Sequence, residues 1–119
     1  MLIAISAEKN DLDSKVDERF GRASGFIIFD LDSEEFRYIN NSKNSSLGGG
    51  AGVQTSRLIA ESGVKAVIAQ HFGPSAHSTL DAVDIKKYSA NSTVRQAIED
   101  FKSGALKEIK SPDVHGHWS

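Results

Sequence analysis

Short apolar runs separated by polar or glycine-rich stretches organise this chain. Three runs are mainly apolar, a fourth alternates apolar and polar positions, which is the pattern of a half-buried strand, and a fifth has apolar residues at both of its ends. The five predicted strands cover residues 2–6, 25–30, 36–40, 64–69 and 85–88. The second and third are close enough in sequence to form a hairpin, whereas residues 7–19 are too polar for a core element and predict a long loop.

Sequence patterns typical of helices follow the third, fourth and fifth predicted strands. The predicted helices cover residues 53–62, 74–83 and 93–103. The first and last end before Gly63 and Gly104, residues suited to a helix C-terminus, and the second begins at Pro74, which suits the first helical position. The last has the clearest pattern, because Thr93 and Gln96 form a capping-box pair and its apolar residues recur at helical spacing.

The resulting order, βββαβαβα, predicts an α/β fold. We expect a five-stranded mixed sheet with one antiparallel member and helices on both faces. The 119 residues fit a single domain, 1–119, that buries a core without disulfides. Residues 105–119 have only a short apolar turn before a polar end, so we expect a flexible tail over the surface.

Composition narrows the functional classes. A net charge of −2, with Lys and Arg spread along the chain and no basic cluster, is unlike a nucleic-acid-binding surface. The chain has no apolar run of membrane-spanning length and no signal-peptide pattern, which predicts a cytoplasmic protein. Because it has no Cys, any metal must be held by His, carboxylate or backbone groups, or arrive already coordinated.

Glycines cluster where the third predicted strand gives way to the first predicted helix. Residues 48–52 include Gly48, Gly49, Gly50 and Gly52. Glycine lets the backbone approach a ligand, and a helix N-terminus offers unpaired N–H groups and a positive dipole end. The cluster therefore predicts an anion-binding loop, and a mobile surface connection is the alternative.

Two other loops are predicted to lie near the glycine cluster, at the carboxyl ends of the parallel strands. We call this edge of the sheet the rim, and it is where ligands of open α/β sheets bind. One holds Arg19 and Arg22, which offer positive charge to an anion, and the other holds His71, a candidate metal or proton ligand. The alternatives are structural: an ion pair of Arg22 with Asp17 or Asp30, and a hydrogen-bonded His71. Phe20 in the first loop is a candidate core residue, and His77 is expected to be an exposed helical His.

Standard catalytic patterns are missing from the chain. No Lys follows the glycines as nucleotide-binding loops require, and neither a Gly-x-Ser-x-Gly elbow nor a His-Glu-x-x-His pair occurs. The carboxylates Asp11, Asp13 and Asp17 share one polar loop, which favours solvation over metal binding. The pattern indicates a binding site without a nucleophile.

Five motifs in order resemble the dinitrogenase iron-molybdenum cofactor-binding family. They are Phe-Gly-Arg-Ala at 20–23, Gly-Gly-Gly-Ala-Gly at 48–52, His-Phe-Gly-Pro at 71–74, Thr-Val-Arg-Gln-Ala at 93–97 and His-Gly-His-Trp at 115–118. The resemblance covers nearly the whole chain. It implies a ribonuclease H-like three-layer fold and a non-catalytic, nitrogen-fixation-related protein that binds or carries a preformed iron-sulfur or iron-molybdenum type cluster or its precursor.

The resemblance also implies the contacts and partners of that cluster. A cluster donor or acceptor protein is the implied partner, and His71, His115 and His117 are the implied metal contacts. The implied cofactor-binding residues are Arg19, Phe20, Gly21, Arg22, Gly48, Gly49, Gly50, Gly52, His71 and Gly73. The family's carriers commonly have His where this chain has Arg19, and Arg cannot ligate iron, so the three imidazoles would have to substitute.

Two other functions stay open at this point. One is a divalent-metal-dependent phosphohydrolase or nuclease that uses carboxylates such as Asp30, although the first strand carries none. The other is an interaction module whose glycine loop binds a partner or a nucleotide-like anion.

Overall fold

A computed structural model describes residues 1–112 of the chain. The strands are β1 (Leu2–Ala7), β2 (Gly25–Asp30), β3 (Phe36–Asn40), β4 (Ala66–Ala69), β5 (Lys86–Ser89) and β6 (Lys107–Glu108). The helices are α1 (Ser42–Ser45), α2 (Ala51–Glu61), α3 (Pro74–Ala82) and α4 (Val94–Lys102). His115 and His117, which the family resemblance implies as metal contacts, lie outside the described residues. No helix within residues 1–112 combines the length and apolar character needed to cross a bilayer.

One mixed sheet holds all six of these strands in the order β3-β2-β1-β4-β5-β6. The strands β1, β4 and β5 are parallel neighbours, whereas β2 runs antiparallel to both β1 and β3. The predicted number of five strands is wrong, because β6 pairs antiparallel with the end of β5. It was missed because two residues carry no periodicity, and it lies within the segment predicted to be a tail.

Helix boundaries differ from the prediction mainly around the glycines. The helix α2 begins at Ala51, two residues before the predicted start, so Gly52 belongs to its first turn. The one-turn helix α1 occupies a stretch predicted to be a loop, since it has no apolar residue to mark it. The capping pair of α4 is half formed: Thr93 Oγ1 accepts from the Gln96 backbone N–H, but the Gln96 side chain donates to Asp100 instead.

The sheet separates two hydrophobic clusters and so forms the middle of three layers. On one face, Ile59 of α2 and Leu80 of α3 pack with the first cluster, and on the other face Val94 and Ile98 of α4 pack with the second. Every one of these side chains is at most 3% exposed. Helices on both faces were predicted, and the structure confirms them.

Close packing at Gly25 links the first residue of β2 to the neighbouring strand β3. A Cβ at Gly25 would lie 2.3 Å from Cζ and Oη of Tyr38 and 2.6 Å from the carbonyl oxygen of Ile39. The Tyr38 hydroxyl lies 3.1 Å from the carbonyl oxygens of both Ala7 and Glu8, to which it donates. Glycine at position 25 therefore lets the Tyr38 ring lie across β2 and reach the end of β1.

We predict that Gly25→Ala destabilises the fold by about 1–3 kcal/mol, the usual cost of overpacking. Gly48→Ala is the matched control, because a Cβ there would meet no atom within 4 Å. Urea unfolding of both variants measures the difference. Equal midpoints for Gly25→Ala and Gly48→Ala would contradict this explanation of Gly25.

Candidate functional site

Two of the three predicted rim loops are joined by backbone hydrogen bonds. Past the end of β4, Gln70 N–H donates to Asp17 (3.1 Å), His71 N–H donates to Glu18 (2.8 Å), and Phe20 N–H donates back to His71 (3.0 Å). Arg19 and His71 form an isolated parallel bridge within this ladder. The long loop after β1 is thus held as an extended segment beside β4, and Arg19 and His71 lie next to each other at the rim.

The aromatic residues of these two loops turn inward. Phe20 and Phe72 are fully buried, with ring centroids 5.3 Å apart in a stacked arrangement, and Phe20 also packs on Phe26 at 5.4 Å. The alternative of a core role for Phe20 is therefore the one that the structure shows. The phenylalanines anchor the loops from below while the residues beside them face the rim.

The glycine-rich loop leads directly into the N-terminus of α2. Gly50 is the N-cap residue with φ of 76°, a left-handed conformation that favours glycine, and no side chain caps the helix. The first turn contains no acidic residue. Gly48 and Gly49 are exposed, and a Cβ on either would meet nothing within 4 Å. The positive end of α2, where Ala51 and Gly52 are buried, thus lies behind an exposed and uncrowded glycine loop, an arrangement that favours an anion.

Arg22 holds the preceding turn of this loop. Its Nη1 donates to the carbonyl oxygen of Ser45 at 3.1 Å and also to that of Leu47. These carbonyls belong to the C-terminal end of α1 and to the residue just before the glycines. Neither predicted ion pair forms: Arg22 has no salt bridge with a described residue, and Asp30 lies at the opposite end of the sheet, where it pairs with Leu2 at the start of β1.

A buried polar network ties the same elements together below the loop. Asn41 is 1% exposed, and its Nδ2 donates to the Ala23 carbonyl at 3.0 Å and to Thr55 Oγ1 at 3.1 Å. Asn41 Oδ1 accepts from Asn44 Nδ2 at 3.0 Å. The Thr55 hydroxyl in turn lies 3.2 Å from the Gly21 carbonyl, to which it donates. The network joins the loop before β2 to both α1 and α2.

Charged side chains of both signs line the rim beside this network. Asp17, Glu18, Arg19 and Arg22 surround an open depression of about 400 Å³. Asp17 is half-buried, and burial raises the pKa of its carboxyl group above 3.8, partly offset by the hydrogen bond that it accepts from Ser24 N–H at 3.1 Å. Burial, followed by the nearby Asp17 charge, also raises the pKa of the Tyr38 hydroxyl. The depression at the rim is therefore lined by two carboxyl groups and two guanidinium groups.

One histidine, His77, is placed differently from its prediction. His77 was predicted to be exposed on its helix, but it is 9% exposed, and α3 packs against the core around it. Gly73 is buried at the N-cap of α3, where its carbonyl accepts from His77 N–H at 2.9 Å. Within residues 1–112, no group of three or more His, Asp or Glu side chains is arranged to hold a metal ion.

Sequence reasoning missed the residues that assemble the rim. Asn41 and Thr55 gave no signal, because one lies in an Asn- and Ser-rich stretch typical of turns and the other is a single polar position on a helix. Tyr38 fitted the strand pattern without indicating its contact with the end of β1. Only Gly25, a glycine at the start of an apolar run, marked a close approach that sequence reasoning could have found.

Fold and rim together define a small α/β protein whose carboxyl-end loops present an uncapped helix N-terminus and two arginines. A family comparison agrees with this class: the profile described as "Dinitrogenase iron-molybdenum cofactor" matches residues 1–104. The chain belongs to that family, as its sequence motifs predicted.

Relatives from bacteria and archaea share nearly the whole length of the chain. The apo form of the orange protein from Desulfovibrio gigas is 35% identical, with a TM-score of 0.92, and the match covers 95% of this chain and 96% of that one. A Thermotoga protein described as a candidate NifB protein is 33% identical, with a TM-score of 0.82 and coverages of 92% and 94%. An uncharacterised protein of Methanocaldococcus jannaschii is 31% identical over 113 residues, 92% of each chain.

We predict that Asn41→Ala destabilises the protein by about 1–3 kcal/mol, because it leaves buried partners without hydrogen bonds. Asn91→Ala is the control, since Asn91 is exposed and makes no hydrogen bond with a described residue; its change should stay within about 0.5 kcal/mol. Urea unfolding measures both. An Asn41→Ala protein as stable as Asn91→Ala would contradict the role assigned to the network.

A second prediction concerns pH. Because the folded-state pKa of Asp17 is raised above 3.8, the folded state binds more protons than the unfolded state in the range just above 3.8, and stability falls as pH rises through it. Asp17→Asn removes this loss while its amide oxygen can still accept from Ser24. The stability of Asp17→Asn relative to the wild type should therefore increase between about pH 3 and about pH 7.

Asp13→Asn provides a control of opposite sign. The hydrogen bond from Arg95 holds the pKa of Asp13 below 3.8, so this carboxylate stabilises the folded state at neutral pH and loses that contribution as pH falls. The relative stability of Asp13→Asn should decrease as pH rises over the same range. Urea unfolding at each pH tests both variants, and parallel curves for the two would refute the assignment.

Proposed function

We propose that this protein binds or carries an iron-sulfur or iron-molybdenum type cluster, or its precursor, without catalysing a reaction on it. The observation that carries the proposal is the N-terminus of α2, which has no side-chain cap and no acid in its first turn and opens through exposed glycines. Clusters of this kind are anionic when their ligands are sulfide or thiolate. Backbone N–H groups at a helix N-terminus are suited to such an ion.

Arginines at the rim add positive charge on the neighbouring loop. Arg19 and Arg22 both line the depression next to the glycine loop. His71 is bridged to Arg19 through the backbone, so a histidine lies next to one of these two arginines. The chain has no Cys, so contacts with the cluster would be electrostatic, from backbone N–H groups and Arg19, or through the imidazole of His71, which suits a cargo that must later be released to an acceptor protein.

Family membership and relatives support the same proposal. The family is described by the iron-molybdenum cofactor of dinitrogenase, and one relative is described as a candidate NifB protein. Another relative, the orange protein, has a solved apo form, which supports the view that proteins of this fold bind a ligand. The strand order 3-2-1-4-5, with β2 antiparallel, further supports the ribonuclease H-like architecture that the resemblance implies.

The phosphohydrolase alternative gains no support from the rim. Its proposed carboxylate, Asp30, lies at the other end of the sheet, 3.9 Å from the N-terminal ammonium group. Loss of Asp30 would therefore act far from the glycine loop. We retain the carrier function as the proposal, with cluster-donor and cluster-acceptor proteins as its partners.

We predict that Gly49→Asp weakens binding of a synthetic thiolate-ligated [4Fe–4S] dianion by about tenfold or more, because it places a negative charge where the anion would lie. Gly49→Asn is the matched control, with nearly the same shape and no charge. Both substitutions are expected to fold, since a side chain at position 49 would meet nothing within 4 Å. Anaerobic titration followed by visible absorption gives the affinities.

Equal affinities for the Asp and Asn variants would place the cluster away from the glycine loop. A wild-type spectrum that stays that of the apoprotein at every cluster ratio would refute the function itself. Inorganic phosphate serves as the competitor: displacement of the cluster by millimolar phosphate would indicate a general anion site and favour the interaction-module alternative.

A further inference from the structure

Arg22 donates hydrogen bonds to the backbone that leads into the glycine loop. Its Nη1 carries two protons and lies within hydrogen-bonding distance of two carbonyl groups, those of Ser45 and Leu47. The side chain is half-buried, so these bonds are partly shielded from water. That terminal nitrogen is therefore committed to the backbone of this chain.

Both accepting carbonyls belong to the turn that precedes the glycines. The helix α1 has only four residues, and the carbonyl of its last residue, Ser45, accepts no backbone hydrogen bond from a described residue. A guanidinium group at that end satisfies two carbonyls and also complements the negative end of the helix dipole. Arg22 thus fixes the point from which the glycine loop departs.

The loop itself has little else to hold it. No side chain would touch a Cβ at Gly48, Gly49 or Gly50, and neither Gly48 nor Gly49 donates a backbone hydrogen bond within the described part of the chain. Its two ends are anchored, at Leu47 by Arg22 and at Gly50 by the first α2 bond, from Gln54 N–H at 3.0 Å. Only three residues therefore separate a fixed turn from a fixed helix.

We propose that Arg22 is a positioning residue of the site: it acts on the bound anion through the glycine loop, by holding the carbonyls of Ser45 and Leu47, and not by contacting the anion. The ligand half of this inference rests on the proposed function. Arg19 then supplies the guanidinium charge of the depression that faces the ligand, while Arg22 sets the direction in which Gly48 and Gly49 present their N–H groups.

The test compares Arg22→Ala, Arg22→Lys and Arg57→Ala with the wild-type chain. Arg57 is an exposed cation on α2 that makes no hydrogen bond or ion pair with a described residue, so its loss controls for net charge. Two readouts are needed. Backbone ¹⁵N order parameters for residues 47–49 are measured without any cluster, and the affinity for the synthetic [4Fe–4S] dianion is measured over a range of salt concentrations.

Arg22→Ala should lower the order parameters of residues 47–49 from about 0.85 towards 0.6 or below, whereas Arg57→Ala should leave them unchanged. Its affinity should fall about tenfold, while the slope of log affinity against log salt changes no more than it does in Arg57→Ala, which also removes one positive charge, because no ionic contact with the ligand has been removed. Arg22→Lys should recover part of the order and part of the affinity, since an ammonium group can donate to at least one of the carbonyls.

Wild-type order parameters in Arg22→Ala would overturn the proposal, and a salt slope shallower than that of Arg57→Ala would show direct contact with the ligand instead. Urea unfolding of each variant separates a loosened loop from a destabilised fold, and a loss of order spread over the whole chain would also overturn the proposal. If the wild-type chain binds no cluster, the proposed function fails, yet the order parameters still decide whether Arg22 holds the loop.

Discussion

The rim of this protein depends on the buried side-chain amide of Asn41. An amide with two donor protons and an acceptor oxygen can join several elements at once, and here it bonds to the loop before β2, to α1 and to Thr55 of α2. The backbone of Asn41 adds further bonds: its N–H donates to the Ser24 carbonyl, and its backbone carbonyl accepts from the N–H groups of Asn44 and Ser45 in α1. Because the group is buried, each lost partner would leave a polar atom unsatisfied, so the elements around it can adopt few other arrangements.

That constraint explains how a loop without packing can still present a defined surface. A Cβ at Gly48 or Gly49 would meet no described atom within 4 Å, yet α2 behind them and α1 before them are both bonded to Asn41. The two buried phenylalanines, Phe20 and Phe72, hold the neighbouring loops in the same way from the apolar side. The space left unpacked is thereby limited to a few glycines, at the place where an anion would meet the positive end of a helix.

Local signals allowed much of the fold to be predicted. The strands β2 and β3 begin and end where the apolar pattern does, and Pro74 starts α3 as its fixed φ angle favours. The failures have a common cause, which is that β6 and α1 are short elements stabilised by distant partners. The strand β6 exists because Ser89 and Tyr88 offer it an edge, and α1 because Arg22 and Asn41 satisfy its ends.

The candidate site shows the same division. Parallel strands end at one edge of a sheet, and this rule predicted that the loops carrying Arg19 and His71 lie close together. The structure places these two residues next to each other. The hydrogen-bond partners of Arg22 could not be predicted, because they are backbone carbonyls, which are present at every position and leave no mark in a sequence. The burial of Asp17 could not be predicted either, because Asp17 lies in a polar loop and the Tyr38 hydroxyl, whose pKa is raised by burial and by the Asp17 charge, comes from β3.

The central claim is that an anionic cluster binds against the N-terminus of α2. Amide signals of isotope-labelled protein, followed during anaerobic addition of the synthetic [4Fe–4S] dianion, test it most directly, because the paramagnetism of the cluster broadens nearby resonances. The account predicts broadening of residues 48–53 and of Arg19, with Asp30 and its neighbours at the opposite end of the sheet unaffected. Broadening centred on Asp30, or none anywhere along the chain, would contradict it.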